Sequence, residues 1–202
     1  VLVLLLVCLY LTYSRAAMGG FAVAALFLAT ARYRRLWWGI VILGLVVAVL
    51  VTGPASGHPV VERFRQGIAF QDLANRMRLA EYASALDIVR RYPVFGVGFG
   101  QAPEVDLTTG VSSLYLTIAE RMGLVGLLAF LAVLGSVGAR ALRLCRRADE
   151  EAGHFLSLLA GLVAALSCGL LDHYFFHLEF PHMAALLWMT LGLVTCAPQQ
   201  AS

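Results

Sequence analysis

Arginine is the residue type whose placement in this sequence most clearly suggests chemistry. The polar interval Pro54–Gly110 interrupts an otherwise apolar chain and carries six arginines and six acidic residues. A guanidinium group donates two parallel hydrogen bonds to a phosphate or carboxylate, so arginine is well suited to holding such anions. Because the charges of the interval balance, the position of each arginine matters more than the net charge. The six are Arg63, Arg65, Arg76, Arg78, Arg90 and Arg91.

The elements that position these arginines are predicted to be membrane-spanning helices. Hydrophobic residues make up 60% of the 202 residues, and the mean hydropathy is +0.82, above the usual apolar share of soluble domains. The sequence therefore predicts an all-α, multi-spanning transmembrane helical bundle that forms a single membrane domain. The chain opens at Val1 inside an apolar run, so we expect it to be a fragment that lacks upstream helices. The predicted spans are residues 1–13, 16–31, 36–53, 114–138, 155–171 and 181–197.

Two further arginine clusters set the predicted orientation of the bundle. One follows the second span and the other follows the fourth, and basic residues collect on the cytoplasmic side of membrane proteins. Alternation then places the loop 54–110 outside the cytoplasm, together with the turns at Ser14 and Asp172. External loops are normally poor in arginine, so six arginines in this loop favour a role in anion binding. The two clusters are Arg32, Arg34 and Arg35, and Arg140, Arg143, Arg146 and Arg147.

The external loop is predicted to contain an amphipathic helix from Asp72 to Tyr92. Asp72 is a suitable N-cap, and the proline after Tyr92 ends the helix. Arg76 and Arg90 fall near the apolar side and Arg78 at its border, where charges either reach outward or point into a polar cleft. The apolar side is predicted to lie on the outer membrane surface or against the bundle. Its residues are Leu79, Tyr82, Ala83, Leu86 and Val89.

Other polar residues at the outer ends of the spans are candidates for catalysis or binding. Arg15 stands at a helix junction, where it either binds a buried anion or contacts lipid headgroups. Glu120 has Arg121 beside it, so it serves as a catalytic carboxylate or as an ion-pair partner that positions the arginine. Asp172 and His173 could act as an acid/base pair or pack at the membrane interface.

Several other kinds of site are not expected. His173 and His177 have the i, i+4 spacing of metal ligands, but the brevity of the turn argues against a metal. The glycine-rich run Pro93–Gly100 lacks the spacing of a nucleotide-binding loop and instead predicts a tight backbone turn against the bundle. The four cysteines form no CxxC pair, so neither a zinc site nor a disulfide framework is indicated. The net charge of +3 without aromatic-rich basic runs makes nucleic acid an improbable partner. No cofactor is expected.

Four motifs follow one another between Leu11 and Leu134, each on the side of the membrane that the predicted orientation assigns to it. They are Thr12-Tyr13-Ser14-Arg15, Arg78-Leu79, Pro93-Val94-Phe95-Gly96-Val97-Gly98-Phe99-Gly100, and Leu114-Tyr115-Leu116 followed by Gly123-Leu124-Val125-Gly126. In this order they resemble the C-terminal conserved region of the O-antigen ligase and O-antigen polymerase family.

The resemblance implies a multi-pass protein of the bacterial inner membrane. Such a protein transfers or polymerises a glycan from an undecaprenyl-pyrophosphate carrier to a glycan or lipid acceptor at the outer face, without a metal. It also implies that Arg15 and Arg78 hold the pyrophosphate. Arg76 and Arg90 are further substrate-binding candidates because of their place near the apolar side of the external helix. Guanidinium groups can stabilise the charge that develops on such a leaving group.

The sequence departs from the family pattern just before the Leu-Tyr-Leu motif. Ligases of the family usually carry His-Asn there, and the histidine is their candidate base, whereas this chain has Ser112 and Ser113. Serine cannot act as a general base near neutral pH, so these two residues are predicted to cap the following helix. A substitute base is sought in Glu120, Asp172 or His173.

Ligase and polymerase therefore stay open as alternatives, and two other classes compete with them. One is a transporter of a small anion such as bicarbonate, and the other is a non-catalytic membrane protein of envelope assembly. The polar residues collect at the outer ends of the spans rather than near their middles, which favours the transferase.

The predicted orientation can be tested by cysteine labelling from outside the cell. In a background without the four native cysteines, we expect Ala55→Cys to react with a membrane-impermeant maleimide in intact cells, because the loop 54–110 is predicted to be external. Ala148→Cys in the turn 139–153 should react only after lysis. The opposite pattern would invert the topology.

Overall fold

The computed structural model describes residues 1–52, 73–99, 111–145, 151–176 and 180–196. All regular structure in these residues is helical, which confirms the predicted all-α class. Arg63, Arg65, Asp72 and His177 lie outside the described residues. The helices are α1 (Leu2–Leu11), α2 (Arg15–Ala31), α3 (Leu36–Thr52), α4 (Leu73–Arg91), α5 (Leu114–Cys145), α6 (Glu151–Cys168) and α7 (Pro181–Thr195), with a 3₁₀ turn at Tyr174–Phe176 before α7.

The predicted spans coincide in position with α1 to α3 and α5 to α7, and the largest difference is that α5 continues to Cys145. Among the described helices, α5 is the one that is both long and apolar enough to cross a membrane, while α2, α6, α7 and part of α3 are apolar but shorter. Large apolar side chains of α1 and α3, such as Leu4, Trp38 and Leu45, are exposed. Apolar surface of this extent is unusual on a protein that faces water.

Small side chains allow α2 and α6 to pack closely. Ala16, Gly20 and Ala24 are buried at four-residue spacing along one face of α2. A Cβ added to Gly20 would lie 2.6 Å from the carbonyl oxygen of Ala164, so the two backbones approach as small residues allow in membrane helices. Ser14, less than two turns before Gly20, thereby comes close to the residues that follow α6.

Charged groups collect at two opposite ends of the bundle. The Arg32 guanidinium after α2 lies close enough to Cys145, at the end of α5, for its charge to act on the thiol. At the other end, the N–H of Leu114 donates to the carbonyl of Asp172 at 3.0 Å, and the charge of Arg78 acts on the Asp172 carboxyl. Arg32, predicted to face the cytoplasm, and Asp172, predicted to face outside, thus lie at different ends of the bundle.

The helix α5 is interrupted at Gly123, where φ is 68° and ψ is −172°, a conformation essentially restricted to glycine. The interruption leaves two carbonyl groups before Gly123 and two N–H groups after it without helical partners. The segment Pro93–Gly98 supplies these partners from its own backbone. Its bonds are Val97 N–H to Glu120 O at 2.9 Å, Gly98 N–H to Arg121 O at 2.8 Å, Leu124 N–H to Pro93 O at 2.8 Å and Val125 N–H to Val94 O at 3.3 Å.

This pairing adds a feature that the sequence did not predict and confirms one that it did. The span predicted over 114–138 coincides with a helix, but the backbone leaves helical geometry at Gly123, which the sequence pattern did not indicate. The close backbone turn expected in the glycine-rich run is confirmed, since a Cβ on Gly96 or on Gly123 would overlap the facing backbone. The part of α5 after Gly123 is about 33 Å long at about 1.5 Å per residue, comparable with the hydrocarbon thickness of a bilayer.

The helix predicted between Asp72 and Tyr92 is confirmed as α4 (Leu73–Arg91), and the leucines of its apolar side point away from the bundle. Leu79 and Leu86 are 55% and 46% exposed, whereas Asn75, Ala85 and Ile88 are buried. The sequence left open whether the apolar side contacts the bundle or the outer membrane surface. In the structure Tyr82 of that side contacts the bundle, whereas its two leucines do not pack there. The side that faces the bundle carries polar residues beside the buried Ala85 and Ile88.

Replacing Gly123 should show how far the fold depends on the interruption in α5. We expect Gly123→Ala to destabilise the protein by roughly 2–5 kcal/mol, because alanine is strained at this φ and its methyl group would overlap Val94. Thermal unfolding of the detergent-solubilised protein measures the effect.

Gly135→Ala in the same helix is the matched control, because a Cβ there meets no atom within 4 Å. It should leave the unfolding temperature unchanged or raise it slightly. Equal behaviour of the two variants would contradict the role given to Gly123.

Candidate functional site

The turn that follows α6 holds a carboxylate in a defined position. Asp172 Oδ1 accepts a hydrogen bond from the His173 N–H at 2.9 Å, and His173 Nδ1 lies 3.9 Å from the same oxygen. The N–H of Leu114, at the start of α5, donates to the carbonyls of both Gly169 and Asp172, at 2.8 and 3.0 Å. The acid–histidine pair predicted from the sequence is therefore assembled at the start of α5, beside Ser112 and Ser113.

Burial raises the pKa of the Asp172 carboxyl above its ordinary value. The hydrogen bond from the His173 N–H and the charges of His173 and Arg78 lower the same pKa and offset part of this effect. A carboxyl with a raised pKa is a better proton acceptor near neutral pH than an ordinary aspartate.

The helix α4 reaches this turn through three polar residues of its inward side. The Tyr82 hydroxyl lies 2.9 Å from the carbonyl oxygen of Ser112 and 3.2 Å from that of Leu170, so it can donate to either. Glu81 Oε2 accepts from the Ser112 N–H at 3.0 Å. Arg78 is half-buried one turn earlier. Burial raises the pKa of the Tyr82 phenol, which Arg78 lowers and Glu81 and Asp172 raise further, so the phenol stays protonated and available as a donor.

An apolar cavity of about 540 Å³ lies beside this turn, between α1, α2, α6 and α7. Ser14 and Asp172 both line it, at the end where α2 begins and α6 has just ended. Ser14 is the N-cap of α2, and its hydroxyl accepts from the Ala17 N–H at 3.2 Å. Arg15 is the first residue of α2 and is partly buried. Two elements on which the sequence placed candidate residues, the Ser14–Arg15 turn and the Asp172–His173 turn, therefore meet at one cavity.

Glu120 belongs to a different part of the structure. Its side chain is only 5% exposed and lies 3.9 Å from Arg121 Nε. Arg121 Nη1 also donates to the Gly98 carbonyl at 3.4 Å. Glu120 is not among the residues that line the cavity. The observed contacts match the second of its two predicted roles, an ion pair that positions the arginine.

The remaining predicted residues do not line the cavity. Arg76 and Arg90 are exposed on α4. Ser113 directly precedes α5, and its carbonyl accepts a hydrogen bond from the Thr117 N–H at 2.9 Å in the first turn of the helix. Within the described residues, neither serine hydroxyl makes a capping hydrogen bond, so the capping predicted for these side chains is wrong. The Leu114 N–H is bound instead by the carbonyls of Gly169 and Asp172. No group of three or more His, Cys, Asp and Glu side chains that could hold a metal occurs in the described part of the chain.

Sequence reasoning did not assign a role at the site to Glu81 or Tyr82. Tyr82 was counted with the apolar side of its helix, and Glu81 was given no role. The signal that could have found them is the polar line at spacing i, i+3 and i+4 formed by Arg78, Glu81 and Tyr82, which falls on one side of a helix.

The fold and the site together define an all-helical protein with a long apolar helix and a charged site at one end of its bundle. Residues 1–131 match the O-antigen ligase family. Because the match covers more than half of the chain, the protein belongs to this family, which is membrane-integral and supports an O-antigen ligase or polymerase type of glycan transfer. No curated protein and no solved structure gave a significant match.

The family match covers only some of the candidate site residues. Arg15, Arg78 and Glu120 lie within residues 1–131, whereas Asp172 and His173 lie beyond them. The family match therefore does not extend to the acid–histidine pair, and any role for this pair depends on its position in the structure.

Asp172→Asn tests the environment of this carboxyl through protein stability. A raised pKa in the folded state means that stability is lost as pH rises from the unfolded pKa, near 3.8, through the folded one. Asparagine keeps the acceptor for the His173 N–H without this cost. We expect Asp172→Asn to unfold at the same temperature as the wild type or higher at pH 7.5, with the difference shrinking toward pH 4.

Asp87→Asn is the control for this measurement, because Asp87 is exposed and pairs with Arg91 at 2.7 Å. It should produce little change in unfolding temperature at either pH. A clear loss of stability in Asp172→Asn at pH 7.5 would argue that ionised Asp172 stabilises the fold.

Proposed function

We propose that this protein transfers or polymerises a glycan from an undecaprenyl-pyrophosphate carrier at the outer face of the bacterial inner membrane, as a multi-pass protein without a metal or cofactor. The observation that carries the proposal is that Ser14 and Asp172 line one apolar cavity, while Arg15 adjoins the first and the charge of Arg78 acts on the second. A charged rim above apolar walls suits a substrate with a pyrophosphate head and a hydrocarbon tail.

Arg15 and Arg78 are the residues assigned to the pyrophosphate. Arg15 stands in the first turn of α2, where the helix N-terminus adds partial positive charge. Arg78 is half-buried on the inward side of α4, where it is less screened by water than a surface arginine. The exposed Arg76 and Arg90 are available for the glycan or for lipid headgroups.

Asp172 and His173 are the residues assigned to acceptor activation. The base removes the proton of an acceptor hydroxyl, whose oxygen then attacks the anomeric carbon of the donor glycan. The bond between that carbon and the pyrophosphate oxygen breaks, and the pyrophosphate leaves with the bonding electrons. Guanidinium groups at the leaving oxygens stabilise the charge that develops. Glu120, which faces Arg121 and not the cavity, is assigned to positioning.

A transporter is the second class of protein to consider for this fold, because interrupted helices form ion sites in many transporters. At Gly123, however, the carbonyls of Glu120 and Arg121 and the following N–H groups are bound by the segment Pro93–Gly98. The contacts observed at the interruption therefore favour a structural role over an ion site.

Arginine-to-lysine substitutions test the proposed function. Lysine keeps the charge but loses the planar pair of donors, so Arg15→Lys and Arg78→Lys should each reduce transfer by about 100-fold, the loss typical of removing one leaving-group contact. The measurement is glycan ligation or chain growth on lipid carriers in proteoliposomes, with membrane insertion checked separately.

Arg91→Lys is the matched control, since Arg91 is exposed and pairs with Asp87, and it should retain full activity. Normal transfer in both site variants would contradict the assignment. So would an experimental structure with the Arg15 and Arg78 guanidinium groups roughly 20 Å or more apart, far beyond the reach of one charge-assisted contact.

A further inference from the structure

The inward side of α4 is joined to the bundle by an unusual pair of successive residues. Glu81 accepts from the Ser112 N–H at 3.0 Å, and Tyr82 donates to the Ser112 carbonyl at 2.9 Å. Both backbone groups of Ser112 are thus bound by side chains of one helix. The Tyr82 hydroxyl also lies 3.2 Å from the Leu170 carbonyl, in the turn that leads to Asp172.

These contacts determine which way α4 faces. The large apolar side chains Met77, Leu79 and Leu86 point away from the bundle and are exposed, so they give the helix little apolar burial against it. Ala85 and Ile88 are buried on the inward side, but they are small or lie toward the C-terminal end. The rotation of the middle of α4 about its own axis therefore depends largely on hydrogen bonds.

Arg78 lies one turn before Tyr82, and residues four apart share a helix side. When Tyr82 contacts Ser112 and Leu170, Arg78 is directed toward the turn that carries Asp172. Among the described residues, the charged and titratable groups that act on Asp172 are His173 on its own turn and Arg78 on α4. Asp172 in turn acts on Cys168 of α6 and on Tyr82.

We propose that Glu81 and Tyr82 are positioning residues that hold α4 against the start of α5 and the turn after α6, so that Arg78 faces the site beside Asp172. This inference rests on the proposed function. It predicts that the Tyr82 hydroxyl affects anion binding through Arg78 and not by touching the anion itself.

The test measures the affinity of the purified protein in nanodiscs for inorganic pyrophosphate by isothermal titration calorimetry. Tyr82→Phe removes the hydroxyl and keeps the ring, and it should weaken binding about 3- to 10-fold, the effect of one or two lost hydrogen bonds. Tyr92→Phe is the matched control, because Tyr92 is exposed beyond the end of α4, and it should bind as the wild type does. Glu81→Ala should weaken binding as Tyr82→Phe does, whereas Glu81→Gln, which keeps an acceptor oxygen, should restore most of the affinity.

A double-mutant cycle separates positioning from a general effect on stability. In an Arg78→Gln background, Tyr82→Phe should cause no further loss of affinity, because the group that it positions is gone. The pH dependence of transfer activity supplies a second readout. If Asp172 is the base, activity rises as its carboxyl loses its proton, and this rise should move to higher pH in Arg78→Gln and in Tyr82→Phe, since Arg78 lowers the pKa of Asp172.

Every other outcome contradicts either the positioning role of Tyr82 or the proposed pyrophosphate site. If Arg78→Gln weakens pyrophosphate binding and Tyr82→Phe does not, the positioning role is wrong and the proposed function stands. If the two losses of affinity add, Tyr82 acts independently of Arg78 and the inference is also wrong. If the wild type does not bind pyrophosphate, or Arg78→Gln binds it equally well, the proposed pyrophosphate site itself fails.

Discussion

The backbone pairing between Pro93–Gly98 and the interruption at Gly123 is the interaction on which the arrangement of the site depends. A helix that breaks among apolar neighbours exposes N–H and carbonyl groups that water cannot easily satisfy, and each such group is costly if left without a partner. The segment after α4 supplies the four bonds from its own backbone. This requirement anchors the C-terminal end of α4 to α5 irrespective of the side chains on α4.

With that end anchored, the polar contacts in the middle of α4 decide its orientation. An amphipathic helix on a soluble protein would turn its leucines inward, because apolar burial is the largest favourable term in folding. Here Leu79 and Leu86 face outward and are exposed. The inward side is then free to carry Arg78, Glu81 and Tyr82, which a soluble fold would keep at its surface.

The close approach of α2 and α6 supplies the other half of the site. Because Gly20 lets the two backbones meet at Ala164, the N-terminus of α2 lies beside the turn that follows α6, and Ser14 and Asp172 line the same cavity. Asp172 is held there against the preference of a carboxylate for water, which is why burial raises its pKa. A group kept in a position that disfavours its charged form is common at functional sites, although structural networks produce the same effect.

The sequence by itself determined the helical class, the positions of the helices and which charged residues are candidates for the site. These features are local, since apolar runs and helical periodicity are read within one segment, and Pro93 marks the C-terminal limit of α4 in the same local way. The glycine-rich turn was also readable, because glycine is needed where two backbones touch. Only the tertiary structure decided that Asp172, and not Glu120, lies at the cavity, that α4 turns its polar side inward, and that α5 breaks at Gly123. Those outcomes depend on contacts between distant parts of the chain, such as the Tyr82 hydroxyl and the Leu170 carbonyl, 88 residues apart, and no periodicity within a single helix encodes which distant backbone group it will meet.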